Sequence, residues 1–265
     1  MANNLVPTTH IIGSGVIGSL LACNAVKHQY PVQQYVRKTP GKVPSDLPAI
    51  TVKSINGDVF TLPKPLPLST EHHPDEQFTG LIIIPVKAYQ MEQALTQLHE
   101  QVAPSATLLL LHNGMGSIDI ATRLFPNHCI IAGTTTLAGF KTDNQIKHTA
   151  TGQTQLGIVS SSNASAPNPE HIALINQLVP EPNWHTDILL PLFNKLAVNC
   201  VINPLTAIHD VQNGELSSPR LMSMIKTLID EVVNVAAIKQ VTLHNTTLFK
   251  HVLSVIYDTR ENFSS

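Results

Sequence analysis

The chain has 265 residues, 43% of them hydrophobic and 13% charged, with 16 Lys+Arg against 18 Asp+Glu for a net charge of −2. This composition fills one large core or two modest ones and excludes extended disorder, and its near-neutral balance offers no electrostatic footprint for a nucleic-acid backbone. No apolar run approaches the roughly 20 residues of a membrane span, and Met1–Thr9 lacks the basic and apolar regions of a secretory signal, so neither membrane nor export is expected.

Thr8–Ile12 is a short β-prone run that leads into Gly13-Ser14-Gly15-Val16-Ile17-Gly18, and Ser19–Lys27 follows as a helix of small and apolar residues. Pro31–Val36 reads as a second strand. Ile50–Leu62, with Asn56-Gly57 at its middle, reads as a hairpin closed by a type I′ turn. Leu81–Val86 is a continuous apolar strand of the sort buried on both faces of a parallel sheet, followed by a helix from Ala88 to about Val102. Thr107–Leu111 repeats the pattern, with Asn113-Gly114-Met115-Gly116 as its turn and a short helix after Ser117. His128–Ala132 and the alternating stretch Ile146–Val159 complete or edge the same sheet, and Ser160–Pro169 is a polar loop. Alternating β and α signals point to a doubly wound sheet. From Ile188 onward the character changes: Ile188–Ile202, Pro219–Gln240 and Thr242–Tyr257 read as helices. The expected division is therefore a Rossmann-like domain over 1–187 and an all-helical domain over 188–265.

Cys23, Cys129 and Cys200 are widely spaced with no CxxC, which argues against a disulfide framework and a thiolate metal site and for a reducing, cytoplasmic compartment. His72 and His73, beside Glu71 and Asp75, read as a solvated loop; no metal site is expected.

GxGxxG alone is weak evidence, because ordinary turns also collect glycines. Here it follows a strand and opens a helix, the context in which the first glycine permits the tight turn, the second lets backbone approach a pyrophosphate and the third allows close helix packing. An NAD site places Asp or Glu about 20 residues further on, at the end of the second strand, to hold the ribose 2′-hydroxyl. This chain has Arg37-Lys38 there. Arg37 suits a 2′-phosphate and hence NADPH; the other reading is two cations solvating a strand end.

Within the apolar run from Ile188 to Pro204, Lys195, Asn199 and Asn203 recur every four residues. Such residues share a helix face, drifting about 40° per step. The row is either a narrow solvated stripe or a set of donors for a carboxylate and a carbonyl, and the residues alone leave both open. Pro204 is expected to end or kink the helix. His112, beside Asn113, reads as structural.

Together with the Val86-Lys87-Ala88-Tyr89-Gln90 turn, His112-Asn113-Gly114-Met115-Gly116 and above all KLAVNCVINPLT over Lys195–Thr206, these motifs make the chain similar to the ketopantoate reductase (2-dehydropantoate 2-reductase) family from about residue 8 to its last residue. The resemblance implies NADPH-dependent reduction of 2-dehydropantoate to (R)-pantoate on the route to pantothenate and coenzyme A, in a monomer or homodimer, with the active site between a Rossmann domain and a helical one. It implies a proton-donating Lys195 and substrate-binding Asn113, Asn199, Asn203, Asn213 and Ser265. Cofactor contacts are implied at Gly13, Ser14, Gly15, Val16, Ile17, Gly18, Arg37, Lys87, Asn113 and Gly139. Members of the family continue past the position of Ser265 and carry a glutamate there, so the helical domain is expected to be incomplete at its C-terminus. Two other functions stay open: reduction of a different branched 2-oxo acid, and dinucleotide binding without catalysis.

Overall fold

The computed structural model describes residues 6–37, 48–68, 77–161 and 163–262. The chain divides into two compact units, Met1–Ile188 and Leu189–Ser265.

In chain order the first unit comprises β1 (Thr9–Ile12), α1 (Val16–Lys27), β2 (Val32–Arg37), β3 (Thr51–Lys53), β4 (Val59–Thr61), β5 (Leu66–Leu68), β6 (Leu81–Ile84), α2 (Ala88–Leu98), β7 (Thr107–Leu111), α3 (Ser117–Leu124), β8 (Cys129–Thr135), β9 (Ala138–Thr142), β10 (Gln145–Ala150), β11 (Thr154–Ile158), α4 (Pro169–Leu178) and β12 (Pro182–Trp184). Among the described residues, eight strands form the main sheet in the order β12-β11-β8-β7-β6-β1-β2-β5. From β5 to β8 all neighbours are parallel. β11 then runs antiparallel to β8, with β12 parallel to it. Counting the six parallel strands by sequence gives 3-2-1-4-5-6, the doubly wound order whose direction reverses between β1 and β6.

The continuous apolar runs of β6 and β7 are buried along their whole length because each face of the sheet has its own helical cover. Ile11, Leu81, Ile83, Leu109 and Leu111 share one core with Leu20 and Leu21 of α1 and Leu174 and Ile175 of α4. Ile12, Ile82, Ile84, Leu108 and Leu110 turn the other way, onto Met91, Leu95 and Leu98 of α2 and Ala121 of α3. The period of two along each strand sorts the residues between the two layers.

A second, four-stranded sheet, β4-β3-β10-β9, adds Val52 and Ile146 to the α1 core. The stretch Ile146–Val159 therefore does not stay together: β10 joins the second sheet and β11 the main one. The predicted hairpin forms, as β3 and β4 paired antiparallel, but its connection is not a type I′ turn. That turn needs positive φ at both central residues, and at Asn56-Gly57 only Gly57 has it (+95°), in a longer loop where Gly57 N–H donates to Ser54 O at 3.0 Å. Helix α4 has no counterpart in the sequence reading. Its buried row includes His171, whose Nδ1 lies 2.8 Å from the Thr107 hydroxyl, and this polar residue on the inner face masks the apolar period of Leu174, Ile175 and Leu178.

The second unit comprises α5 (Leu189–His209), a 3-10 turn (Asn213–Ser217), α6 (Pro219–Ile238) and α7 (Asn245–Asp258). Leu221, Ile225 and Ile229 of α6 and Leu248, Val252 and Ile256 of α7 are buried at helical spacing. α5 runs on through Pro204 to His209, so of the two outcomes expected at this proline, an end or a kink, the end does not occur. Val201, Ile202, Leu205 and Thr206 are all buried on either side of it. Pro204 itself is exposed. Burial of the inner face outweighs the missing N–H.

Candidate functional site

The glycine turn joins β1 to α1, and each of its glycines has a separate structural reason. Gly13 has φ +124°, outside the range comfortable for L side chains, and its N–H donates to Tyr35 O at 2.7 Å. A Cβ on Gly18 would lie 2.6 Å from Gly13 O and 3.2 Å from a Pro85 carbon, so close packing of helix on strand excludes any side chain. Gly15 caps α1, and a Cβ there would meet nothing within 4 Å. Among the described residues, no packing accounts for that glycine. An open cradle at a helix N-terminus, where the first N–H groups lack intrahelical partners, fits the diphosphate of a dinucleotide.

Two side chains donate to the turn's carbonyls. The buried Gln34 of β2 donates from Nε2 to Gly13 O and to Ser19 Oγ, both at 3.3 Å. Lys141 of β9 donates from Nζ to Ser14 O, also at 3.3 Å. The sequence reading passed over both residues. Gln34 stood in an unremarkable strand, and Lys141 comes from a separate sheet that no spacing rule connects to the turn.

Of the other cofactor candidates of this unit, Arg37, Lys87 and Asn113 lie at or just after the carboxyl ends of parallel strands of the main sheet, and Gly139 lies on the second sheet. Arg37 is the last residue of β2 and is exposed. Pro85 and Val86, after β6, abut the glycine turn, since a Cβ on Gly13 would stand 3.3 Å from Val86 Cγ1. Lys87 follows as the N-cap of α2, its backbone N–H donating to Gln90 Oε1 at 3.3 Å. Asn113 stands exposed after β7, and its Oδ1 accepts from Thr134 Oγ1 of β8 at 3.2 Å. That contact orients the amide, directing its oxygen to the protein and leaving its NH2 group for another acceptor. Gly114 packs so tightly that a Cβ would lie 2.7 Å from Ala88 Cβ, which seats the Asn113 turn against the start of α2. Gly139 on β9 would put a Cβ 3.1 Å from Val16 Cγ1, at the first turn of α1.

His112 Nε2 lies 2.5 Å from the Ser117 hydroxyl, and burial pushes its pKa below the usual imidazole value. It is a neutral ring bracing the Asn113 turn.

In the second unit Lys195, Asn199 and Asn203 are half-buried on one side of α5, while Leu192, Phe193, Ala197, Val198, Val201 and Ile202 fill its core. Burial lowers the pKa of the Lys195 ammonium from 10.5 to about 8. A fully solvated stripe would not do this. Asn213 does not join the row as an outward-facing side chain. It is buried in the 3-10 turn, and its Nδ2 donates to Thr259 Oγ1 of α7 at 2.8 Å. Its Oδ1 has no hydrogen-bonding partner among the described residues. Lys38, Glu71, His72, His73, Asp75 and Ser265 lie outside the described residues.

Strand order and glycine turn define a Rossmann-type α/β protein carrying a separate helical unit. A family model described as ketopantoate reductase PanE/ApbA matches residues 9–161, and its C-terminal counterpart matches residues 187–265. The chain is 32% identical to the 2-dehydropantoate 2-reductase of Yersinia pestis over 256 residues, covering 96% of this chain and 79% of that protein. It is 33% identical to the 2-dehydropantoate 2-reductase of Vibrio cholerae over 257 residues, covering 96% and 81%. Among solved structures, the ternary complex of D-mandelate dehydrogenase with NADH and anilino(oxo)acetate superposes with a TM-score of 0.78 at 21% identity, over 97% of this chain and 82% of that one, a likeness of fold. The chain belongs to the ketopantoate reductase family.

Proposed function

We propose that the protein catalyses the NADPH-dependent reduction of 2-dehydropantoate to (R)-pantoate in the cytoplasm, with residues 1–187 binding the cofactor and residues 188–265 supplying the proton donor and substrate contacts. The observation that carries this reading is Lys195, a half-buried cation with a pKa near 8 on α5 of a ketopantoate reductase family member. When bound, the cofactor supplies hydride to C2 of the 2-oxo acid. Lys195, as ammonium, hydrogen-bonds the C2 oxygen and releases a proton to it as negative charge develops there. A pKa near 8 keeps the side chain protonated at neutral pH while making that transfer easier than from an ordinary lysine.

Asn199 and Asn203, one and two steps along the same face, donate to the substrate carboxylate and hydroxyl. Asn113, its oxygen held by Thr134, directs its NH2 group toward the ligands. Arg37 grips the 2′-phosphate with two charge-assisted hydrogen bonds, where an acid would repel it. Gly13 to Gly18, Lys87 and Gly139 line the cofactor's path. Ser265 is the remaining substrate contact, while Asn213, buried with its Nδ2 on Thr259 Oγ1, holds the 3-10 turn to α7. The test is NADPH oxidation followed at 340 nm with 2-dehydropantoate and a panel of other branched 2-oxo acids. Turnover is expected with 2-dehydropantoate ahead of the panel. A faster panel member would replace the substrate, and tight NADPH binding with no turnover on any acid would leave a binding protein.

A further inference from the structure

We propose that Lys141 is a cofactor-binding residue: its ammonium, brought over the glycine turn by the second sheet, pairs with the diphosphate bridge of the dinucleotide. The inference rests on the reading of the glycine turn as a dinucleotide cradle.

Pairing fixes where Lys141 points. On antiparallel β9 and β10, Ile146 faces Lys141 and Lys147 faces Phe140, and residues directly opposite share a side of the sheet. Ile146 is wholly buried in the core that contains Leu20 and Leu21 of α1. Phe140, by contrast, is 51% exposed, with Lys147 Nζ 5.6 Å above its ring. Lys147 therefore belongs to the outer side, and Lys141 to the side covered by α1. Two residues before Lys141, a Cβ on Gly139 would stand 3.1 Å from Val16 Cγ1 and 3.4 Å from Leu20 Cδ1. Continuing along that side, the Lys141 side chain passes the first turn of the helix and ends on Ser14 O at 3.3 Å.

Such a position serves a dianionic bridge. The cradle offers backbone N–H groups and the partial charge of a helix end, and the first turn of α1 contains no acid. An ammonium carries three donors, of which Ser14 O takes one. Holding that carbonyl also offsets its partial negative charge beside the phosphates. The ammonium thus supplies a full positive charge at the bridge, while Arg37, at the end of β2, answers to the 2′-phosphate. Lys141 consequently acts on any dinucleotide, whether or not it carries that phosphate.

The experiment titrates the wild-type protein, Lys141→Met and Lys141→Arg with NADPH and with NADH, reading dissociation constants by calorimetry and the melting temperature of each ligand-free protein. Lys141→Met is expected to bind both dinucleotides about tenfold more weakly, the scale of one charge-assisted hydrogen bond on an exposed site, with the NADPH/NADH ratio and the ligand-free melting temperature unchanged. Lys141→Arg restores most of the affinity. Unchanged constants for both ligands overturn the inference. So does a loss confined to NADPH, which would reassign the lysine to the 2′-phosphate, or a loss accompanied by a lower ligand-free melting temperature that Arg does not rescue. If the wild-type protein binds neither dinucleotide, the reading of the cradle falls, and this inference with it.

Discussion

Replacing Lys195 by Met keeps a stem of similar length and removes the charge, so it separates what the cation does for catalysis from what it does to the fold. Burial moves its pKa from 10.5 in the unfolded chain to about 8 in the native one. At about 1.4 kcal/mol per pKa unit, holding this ammonium in the folded state disfavours folding by about 3 kcal/mol at neutral pH. Because the side chain is only half-buried, solvent screening reduces that figure, so Lys195→Met is expected to be more stable at pH 7 by roughly 1–3 kcal/mol. The pH dependence follows from the direction of the shift. Below pH 8 both native and unfolded states hold the proton, and the penalty is complete. Between pH 8 and 10.5 the unfolded state binds more protons, so wild-type stability rises with pH by this group's contribution. The advantage of Lys195→Met should therefore shrink through that window and be nearly gone by pH 10.5.

Urea unfolding of both proteins at intervals from pH 7 to pH 10.5 measures the gap, and subtracting one from the other cancels every other titrating group. In parallel, wild-type turnover in the direction of reduction should fall above pH 8 as the proton donor empties, and Lys195→Met should lose about 10²–10⁴ in kcat with the NADPH dissociation constant nearly unchanged. A stability gap that stays constant across the window, or normal turnover in the variant, would refute the assignment of Lys195 as a desolvated general acid.

The glycine turn yields a paired test. Gly18→Ala, whose Cβ would land 2.6 Å from a backbone oxygen, should lower stability by roughly 1–3 kcal/mol in thermal melts. Gly15→Ala meets open space, so it should melt like wild type yet bind NADPH at least about tenfold more weakly, because its methyl occupies the diphosphate's approach. Arg37→Asp should raise the NADPH dissociation constant by about 10²-fold while improving NADH binding, measured by titration of each. Pro204→Ala restores a backbone donor within α5 and should raise stability by roughly 1–3 kcal/mol in urea, since proline in a helix interior stands about 3 kcal/mol below alanine. An unchanged midpoint would mean the helix already compensates the loss.

Local signals carried much of the architecture. LIII over Leu81–Ile84 and TLLLL over Thr107–Leu111 are too apolar for anything but strands covered on both sides, and each is buried throughout. The glycine turn, the strand before it and the helix after it were legible because φ limits and helix-end chemistry act within a few residues. Where a feature depended on a distant partner, the local pattern misled. His171 belongs to a buried helix face only because Thr107, 64 residues away, meets its ring. Pro204 is tolerated because α5 buries residues on both sides of it. Asn56-Gly57 suggests a type I′ turn by residue type, yet Gly57 alone adopts positive φ.

The candidate site divides along the same line. The amino-acid order by itself determined that Lys195, Asn199 and Asn203 share a face, since helical periodicity is local, and that a cation rather than an acid ends β2. Tertiary structure alone decided that the lysine loses enough water to move its pKa, that Thr134 fixes the Asn113 amide, that Gln34 and Lys141 take the carbonyls of the glycine turn, and that Asn213 points its donors into α7. Desolvation and hydrogen bonding depend on which atoms lie within a few ångströms, and in a doubly wound sheet those atoms come from strands dozens of residues apart in the chain.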